Sequence, residues 1–311
     1  MRRPLLLAAL TLALPASARA AAVTGGATLR RTVSVRAIAL GESYAAIAGG
    51  VDSLSSNPAG AAGAARPELE TTFASGVIDD SFGFLGYAHP TRIGVLSAAA
   101  AYYDAGKILL TFPGGAQETR VAQRDMVAQT GWATNLGAGF SAGVLGKFYR
   151  FELAQEARAT GAAGDAGLQW ATPLPGLRLG AAMQNMGPSL KFESESDPLP
   201  LTTRFGAAWT FNFRPKSEVE GSYSTGTRLT FLADGVKVRD EKMASSAGGE
   251  FVLDVDDSTS LALRGGWIFG RALDGASFGA GVREGRFTVD YALAAKRSLG
   301  NVHHVGLGIR F

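Results

Sequence analysis

The chain has 311 residues, with 30 Lys+Arg against 27 Asp+Glu, 41 glycines, 46% hydrophobic residues and no cysteine. The lack of cysteine excludes a disulfide scaffold, a thiolate metal site and a lipid-modified N-terminal cysteine. Beyond residue 20 there is no run of about 18 apolar residues, which excludes membrane-spanning helices, and no basic stripe of the kind nucleic acid requires.

At the N-terminus, Arg2 and Arg3, the apolar run Leu5–Leu14 and the small-residue site Ala18-Arg19-Ala20 read as a secretory signal peptide over residues 1–20. Its three arginines leave with it, so 27 of the 30 basic residues remain against 27 acidic ones and the mature chain is formally neutral. Residues 21–67 are rich in Ala, Gly and Ser and low in charge. A short helix is expected near Ser43–Ala48 and a turn at Asn57-Pro58-Ala59-Gly60. Such a segment suits a plug that starts in the periplasm and lies beneath a barrel or folds up into it.

From residue 68 to 311 the chain reads as strands with a period of two. Weaker candidates lie at 69–77, 82–89, 93–103, 122–134, 138–150, 162–171 and 217–227; stronger ones run over Leu177–Met183 and Phe205–Phe213. In the hairpin that follows, centring the turn on Asp257 sets Phe251 opposite Leu263 and Glu250 opposite Arg264. The apolar pair then faces lipid and the charged pair faces inward, because a charge on the lipid side costs about 2–4 kcal/mol at mid-membrane. In the next hairpin a turn at Glu284-Gly285 is expected to pair Val282 with Phe287 and Ala280 with Val289. The last strand alternates Val305, Leu307, Ile309 and Phe311 with His304, Gly306, Gly308 and Arg310. Its terminal aromatic residue resembles the signal read by the bacterial barrel assembly machinery.

The fold class is therefore all-β: a transmembrane antiparallel β-barrel of about 14 strands with a small N-terminal plug, set in the lipid bilayer of the bacterial outer membrane. Turns near 284–285, 256–258, 214–216, 172–176, 135–137 and 90–92 are short and placed in the periplasm, whereas 104–121, 187–200 and 228–244 are long outer loops. Arg204, Glu250, Asp254, Arg264 and Asp290 fall on the inner face. They line either a polar substrate path or a lumen filled by ion pairs.

No catalytic constellation is legible. His303 and His304 are strand neighbours and point to opposite faces, and His89 sits alone at a strand end. There is no Walker pattern and no dinucleotide fingerprint, so no cofactor is expected. The turn Asp256-Asp257-Ser258-Thr259 offers fewer oxygens than the about 6–8 that calcium takes.

Three stretches carry a resemblance. Arg36-Ala37-Ile38-Ala39-Leu40-Gly41, followed by Asp52 and Ser56-Asn57-Pro58-Ala59-Gly60, resembles the N-terminal signature of the PorV/PorQ-like outer-membrane proteins. Leu179-Gly180-Ala181-Ala182 with Gln184-Asn185 and Gly187, and Gly249-Glu250 with Leu263-Arg264-Gly265-Gly266, agree with it. That family is in turn similar to FadL-type transporters, whose N-terminal hatch carries an Asn-Pro-Ala motif. The resemblance implies that Asn57, Pro58 and Ala59 belong to a plug and that small hydrophobic ligands cross the outer membrane. The PorV branch implies instead a barrel that binds exported or other partner proteins.

Overall fold

The computed structural model describes residues 25–76, 79–112, 115–192, 195–214, 226–296 and 300–311. The signal peptide expected at 1–20 and the first residues of the N-terminal segment lie outside the described residues.

Among the described residues eighteen strands follow one another. They are β1 (Glu68–Ser75), β2 (Ser81–Thr91), β3 (Gly94–Asp104), β4 (Lys107–Thr111), β5 (Gln117–Val121) and β6 (Gln123–Gly137). Next come β7 (Phe140–Leu153), β8 (Ala157–Ala171), β9 (Leu177–Met186), β10 (Leu190–Phe192), β11 (Glu195–Asp197) and β12 (Thr202–Arg214). The last six are β13 (Thr227–Val238), β14 (Ala244–Asp254), β15 (Thr259–Phe269), β16 (Asp274–Glu284), β17 (Phe287–Lys296) and β18 (Gly300–Arg310).

Fourteen of them form a closed antiparallel barrel, and closure is made by β18 pairing with β1 from Glu68↔Arg310 to Ser75↔His303. The β4–β5 and β10–β11 hairpins stand apart within two of the outer loops. Closure leaves the main sheet without an open edge among the described residues, so its backbone groups pair strand to strand within the barrel.

The two faces differ as the alternation requires. Phe73, Phe148, Phe231, Leu263 and Phe278 turn outward and are more than half exposed, which is the lipid-facing band. Two indole rings sit at the rim that carries the short turns: Trp132 Nε1 donates to Ile93 O at 3.0 Å and Trp209 Nε1 to Pro175 O at 3.3 Å. The amphipathic ring suits that depth because its N–H finds a carbonyl while its body stays in hydrocarbon.

The hairpin register around Glu250↔Arg264 and Phe251↔Leu263 is as expected. In the next hairpin the pairing is Val282↔Val289 and Glu284↔Phe287, a shift of two residues with the turn at Gly285-Arg286. Period-two alternation fixes only the parity of a register, so a slip of two keeps every side chain on its face. Gly285, with φ +56°, supplies the turn.

One strand lies elsewhere. The strand expected at 217–227 falls, up to residue 225, outside the described residues, and the strand at this place in the barrel is β13. Residues 228–244 are therefore mostly wall rather than an outer loop. The alternation misleads here because Leu232, Val236 and Val238, on the inner face, are as apolar as Phe231 on the outer one. The expected loops at 104–121 and 187–200 are present and each carries one of the small hairpins.

Candidate functional site

Residues 25–66 pack against the inner wall of the barrel, and nearly all of them are buried or half-buried. Ser34 caps a short helix α1 (Val35–Ala39), its Oγ accepting the Ala37 N–H at 3.0 Å. Gly41, at φ +65°, ends it. The helix expected at Ser43–Ala48 does not form. In its place the Tyr44 and Ala45 N–H groups both donate to Asp234 Oδ2 on β13, each at 2.9 Å, which fastens this stretch to the wall.

Further contacts fasten the segment around the barrel. On the β13–β15 side Arg36 grips Glu250, with Nε to Oε1 at 2.7 Å and Nη2 to Oε2 at 2.5 Å. Arg264 Nε donates to the same carboxylate at 2.7 Å and pairs in turn with Asp290. Arg204 Nη1 donates to Glu42 O at 2.8 Å and stands 3.5 Å from Asp234. Above them, Arg271 bridges Glu42 at 2.8 Å and Asp274 at 3.2 Å. Burial works against the Glu42 carboxylate, but the Arg271 and Arg204 guanidiniums outweigh it and hold its pKa below the ordinary value.

On the β7–β9 side the grip is made by amides. Asn57 Nδ2 lies within reach of three carbonyls, Ala45 O at 2.8 Å, Leu168 O at 3.0 Å and Ala181 O at 3.3 Å. Its Oδ1 accepts the Ala59 N–H at 3.1 Å. The expected turn at 57–60 is thus the capped start of a 3₁₀ helix over Pro58–Gly63, with proline in the first turn where its missing N–H is not needed. Gln169 Nε2 donates to Ala45 O and Ile47 O, both at 2.9 Å, and Gln184 Nε2 to Ser55 O at 2.9 Å. Asn185, at φ +60°, makes a bulge: its N–H donates to Asp165 Oδ1 at 2.7 Å, and its Oδ1 accepts Lys147 Nζ at 2.8 Å.

Close approach depends on missing side chains. A methyl on Gly167 would come within 1.9 Å of Asn57 Oδ1, and one on Gly180 within 2.0 Å of Ala45 O. Across the lumen, Gly266 would meet Gly41 N at 2.1 Å and Gly248 would meet Leu40 O at 2.5 Å. Inward glycines on β8, β9, β14 and β15 therefore form the seats of the segment.

The segment separates two chambers. An outer one of about 660 Å³ is walled by Leu29, Ile38, Phe82, Val236, Ile268 and Val302, with Arg31 stacked on Tyr103 at 3.9 Å. An inner one of about 400 Å³ opens among the strand ends at the rim of the short turns, and half of the residues that wall it are charged.

The five lumen charges expected from sequence are all inward. Glu250, Arg264 and Asp290 are joined in one chain with Arg36, and Arg204 pairs with Asp234. Asp254 accepts from Ser260 Oγ at 2.7 Å and stands 3.7 Å from both Arg228 and Arg283. Asn57, Pro58 and Ala59 are buried where the segment meets β7 and β8. Sequence reasoning missed Asp234, because its strand was misplaced, and Gln169, which had no motif. The signal for the seats was present in the glycines on the inner face.

No protein-family model and no curated protein sequence matches the chain. Among solved structures it is similar to the toluene transporter TodX of Pseudomonas putida, with a TM-score of 0.55 and 11% identity over 88% of this chain and 96% of that one. It is also similar to the toluene transporter TbuX of Ralstonia pickettii, with a TM-score of 0.55 and 13% identity over 91% and 99%. A FadL homologue of Pseudomonas aeruginosa matches with a TM-score of 0.48 and 12% identity over 90% and 99%. The shared fold is that of an outer-membrane β-barrel, and the outer membrane is where this protein resides.

Proposed function

We propose that this protein passes small hydrophobic molecules across the outer membrane without catalysis, with residues 21–67 as a plug whose movement opens the path. The observation that carries this reading is the outer chamber. Its volume of about 660 Å³ and its mixed wall of aliphatic, aromatic and charged side chains match small-molecule sites, and its floor is the N-terminal segment. The two toluene transporters that share the fold lend support, and the sequence motifs at Asn57-Pro58-Ala59 and Gln184-Asn185 favour a PorV/FadL-like barrel. Delivery to the membrane would run through the barrel assembly machinery, which would read the strand ending at Phe311.

The test is initial uptake of labelled toluene by cells with an intact outer leaflet, with and without this protein. Several-fold faster uptake is expected with it; equal rates would sink the proposal. A second reading, a barrel that docks partner proteins, is favoured by Ile108, Leu109 and Phe112, which the β4–β5 hairpin exposes in an outer loop. Equal uptake together with a stoichiometric protein partner recovered from detergent extracts would favour that reading.

A further inference from the structure

The inner chamber holds an excess of guanidinium groups over the acceptors that reach them. Arg36, Arg178, Arg228, Arg264, Arg283 and Arg310 all line it. Arg36 and Arg264 are engaged by Glu250 and Asp290. The other four are not matched in this way. Arg228 and Arg283 share one described carboxylate, Asp254, each at 3.7 Å, and the described hydrogen bond of Arg283 goes to the Ser260 hydroxyl at 2.5 Å. Arg310 stands 3.5 Å from Glu68, whose other oxygen accepts the Val51 N–H at 2.7 Å. The Arg178 side chain makes no hydrogen bond or ion pair among the described residues, and its Nε is buried.

The remaining carboxyl groups of the chamber do not restore the balance. With Asp52 of the N-terminal segment and Glu70 of β1 counted, six guanidiniums line the chamber against four carboxyl groups, the other two being Glu250 and Asp290. A buried donor without an acceptor is destabilising, and a planar guanidinium fork fits the paired oxygens of a carboxylate or phosphate. These arginines come from β9, β13, β16 and β18, so they converge on one space from half the circumference of the barrel.

We propose that the inner chamber is a binding site for an oxyanion, a carboxylate or phosphate group presented from the periplasm and held by Arg178, Arg228, Arg283 and Arg310. Its volume of about 400 Å³ admits an organic body as well as the anionic head. The site does not depend on the transport reading, since binding can be measured without flux.

The experiment follows thermal unfolding of the mature protein in detergent at constant ionic strength, in chloride, inorganic phosphate or acetate. Phosphate is expected to raise the transition temperature over chloride, saturably. Acetate acting alike assigns a site that reads any oxyanion, and inert acetate assigns one that reads phosphate. In R178Q and R283Q the half-effective phosphate concentration is expected to rise about tenfold, one such step being worth about 1.4 kcal/mol. R178Q breaks no described ion pair, and a heat-modifiable band on a gel confirms that each variant is a folded barrel. Phosphate indistinguishable from chloride, or an unchanged phosphate response in both folded variants, overturns the proposal.

Discussion

Asn57 ties the N-terminal segment both to itself and to the wall, by its cap at Ala59 and its amide at Ala45, Leu168 and Ala181. Asn57→Ala removes the cap and leaves buried carbonyls short of a donor, an effect of about 2 kcal/mol. Amides of residues 45–60 are expected to exchange with deuterium about thirtyfold faster, while those of the barrel strands are unchanged. Uniform protection in the variant would contradict the role given to this side chain.

Asp256 supplies a pH test in an exposed turn. Its Oδ1 accepts from Ser258 N, Ser258 Oγ and Thr259 N, each at 2.8 Å, and these bonds hold its pKa down at about 2. A depressed carboxylate contributes fully above its unfolded value near about 4 and loses the contribution as pH falls through the folded value. Protection of the Ser258 and Thr259 amides is expected to fade between those two values, and Asp256→Ala to abolish that dependence. The partnership of Glu250 with Arg264 was legible in sequence because one turn fixed it. Asn57 was marked as a turn residue by its own sequence and as a plug residue by the family resemblance, but neither says which carbonyls it meets.

At the scale of the strand, alternation reads reliably where one face meets lipid and the other meets polar lumen. It fails where the lumen itself is apolar. On β13, Leu232 packs against Ala37, Leu40, Tyr44 and Ala46 of the N-terminal segment, so both faces of that strand are hydrophobic and its limits could not be read. On β15 the faces are distinct: Leu263 is 63% exposed toward lipid. Leu263→Arg is expected to cost about 2–4 kcal/mol if it lies near the bilayer midplane, which would show as reduced yield of heat-modifiable barrel in the outer membrane. Normal yield would place this face away from hydrocarbon. The inward glycines explain part of the high glycine content, which in the sequence could not be told from turn glycine without knowing the seats they provide.

The whole molecule is a closed wall with its own N-terminal segment fastened across the lumen by ion pairs on one side and amides on the other. The strand number and the direction of the faces followed from the period of two, whereas the path of the segment did not, because its bonds are made to distant strands. The absence of cysteine gives a clean means of testing whether the segment must move. Ser43 Oγ of the segment lies 2.7 Å from Ser246 Oγ of β14, so a cysteine pair at these positions has its sulfur atoms poised to join. The decisive measurement is toluene uptake by cells carrying S43C/S246C, before and after a membrane-permeant reductant. If movement of the segment opens the path, uptake is expected to fall to the level of cells lacking the protein and to return on reduction. Undiminished uptake through the locked barrel would contradict a moving plug.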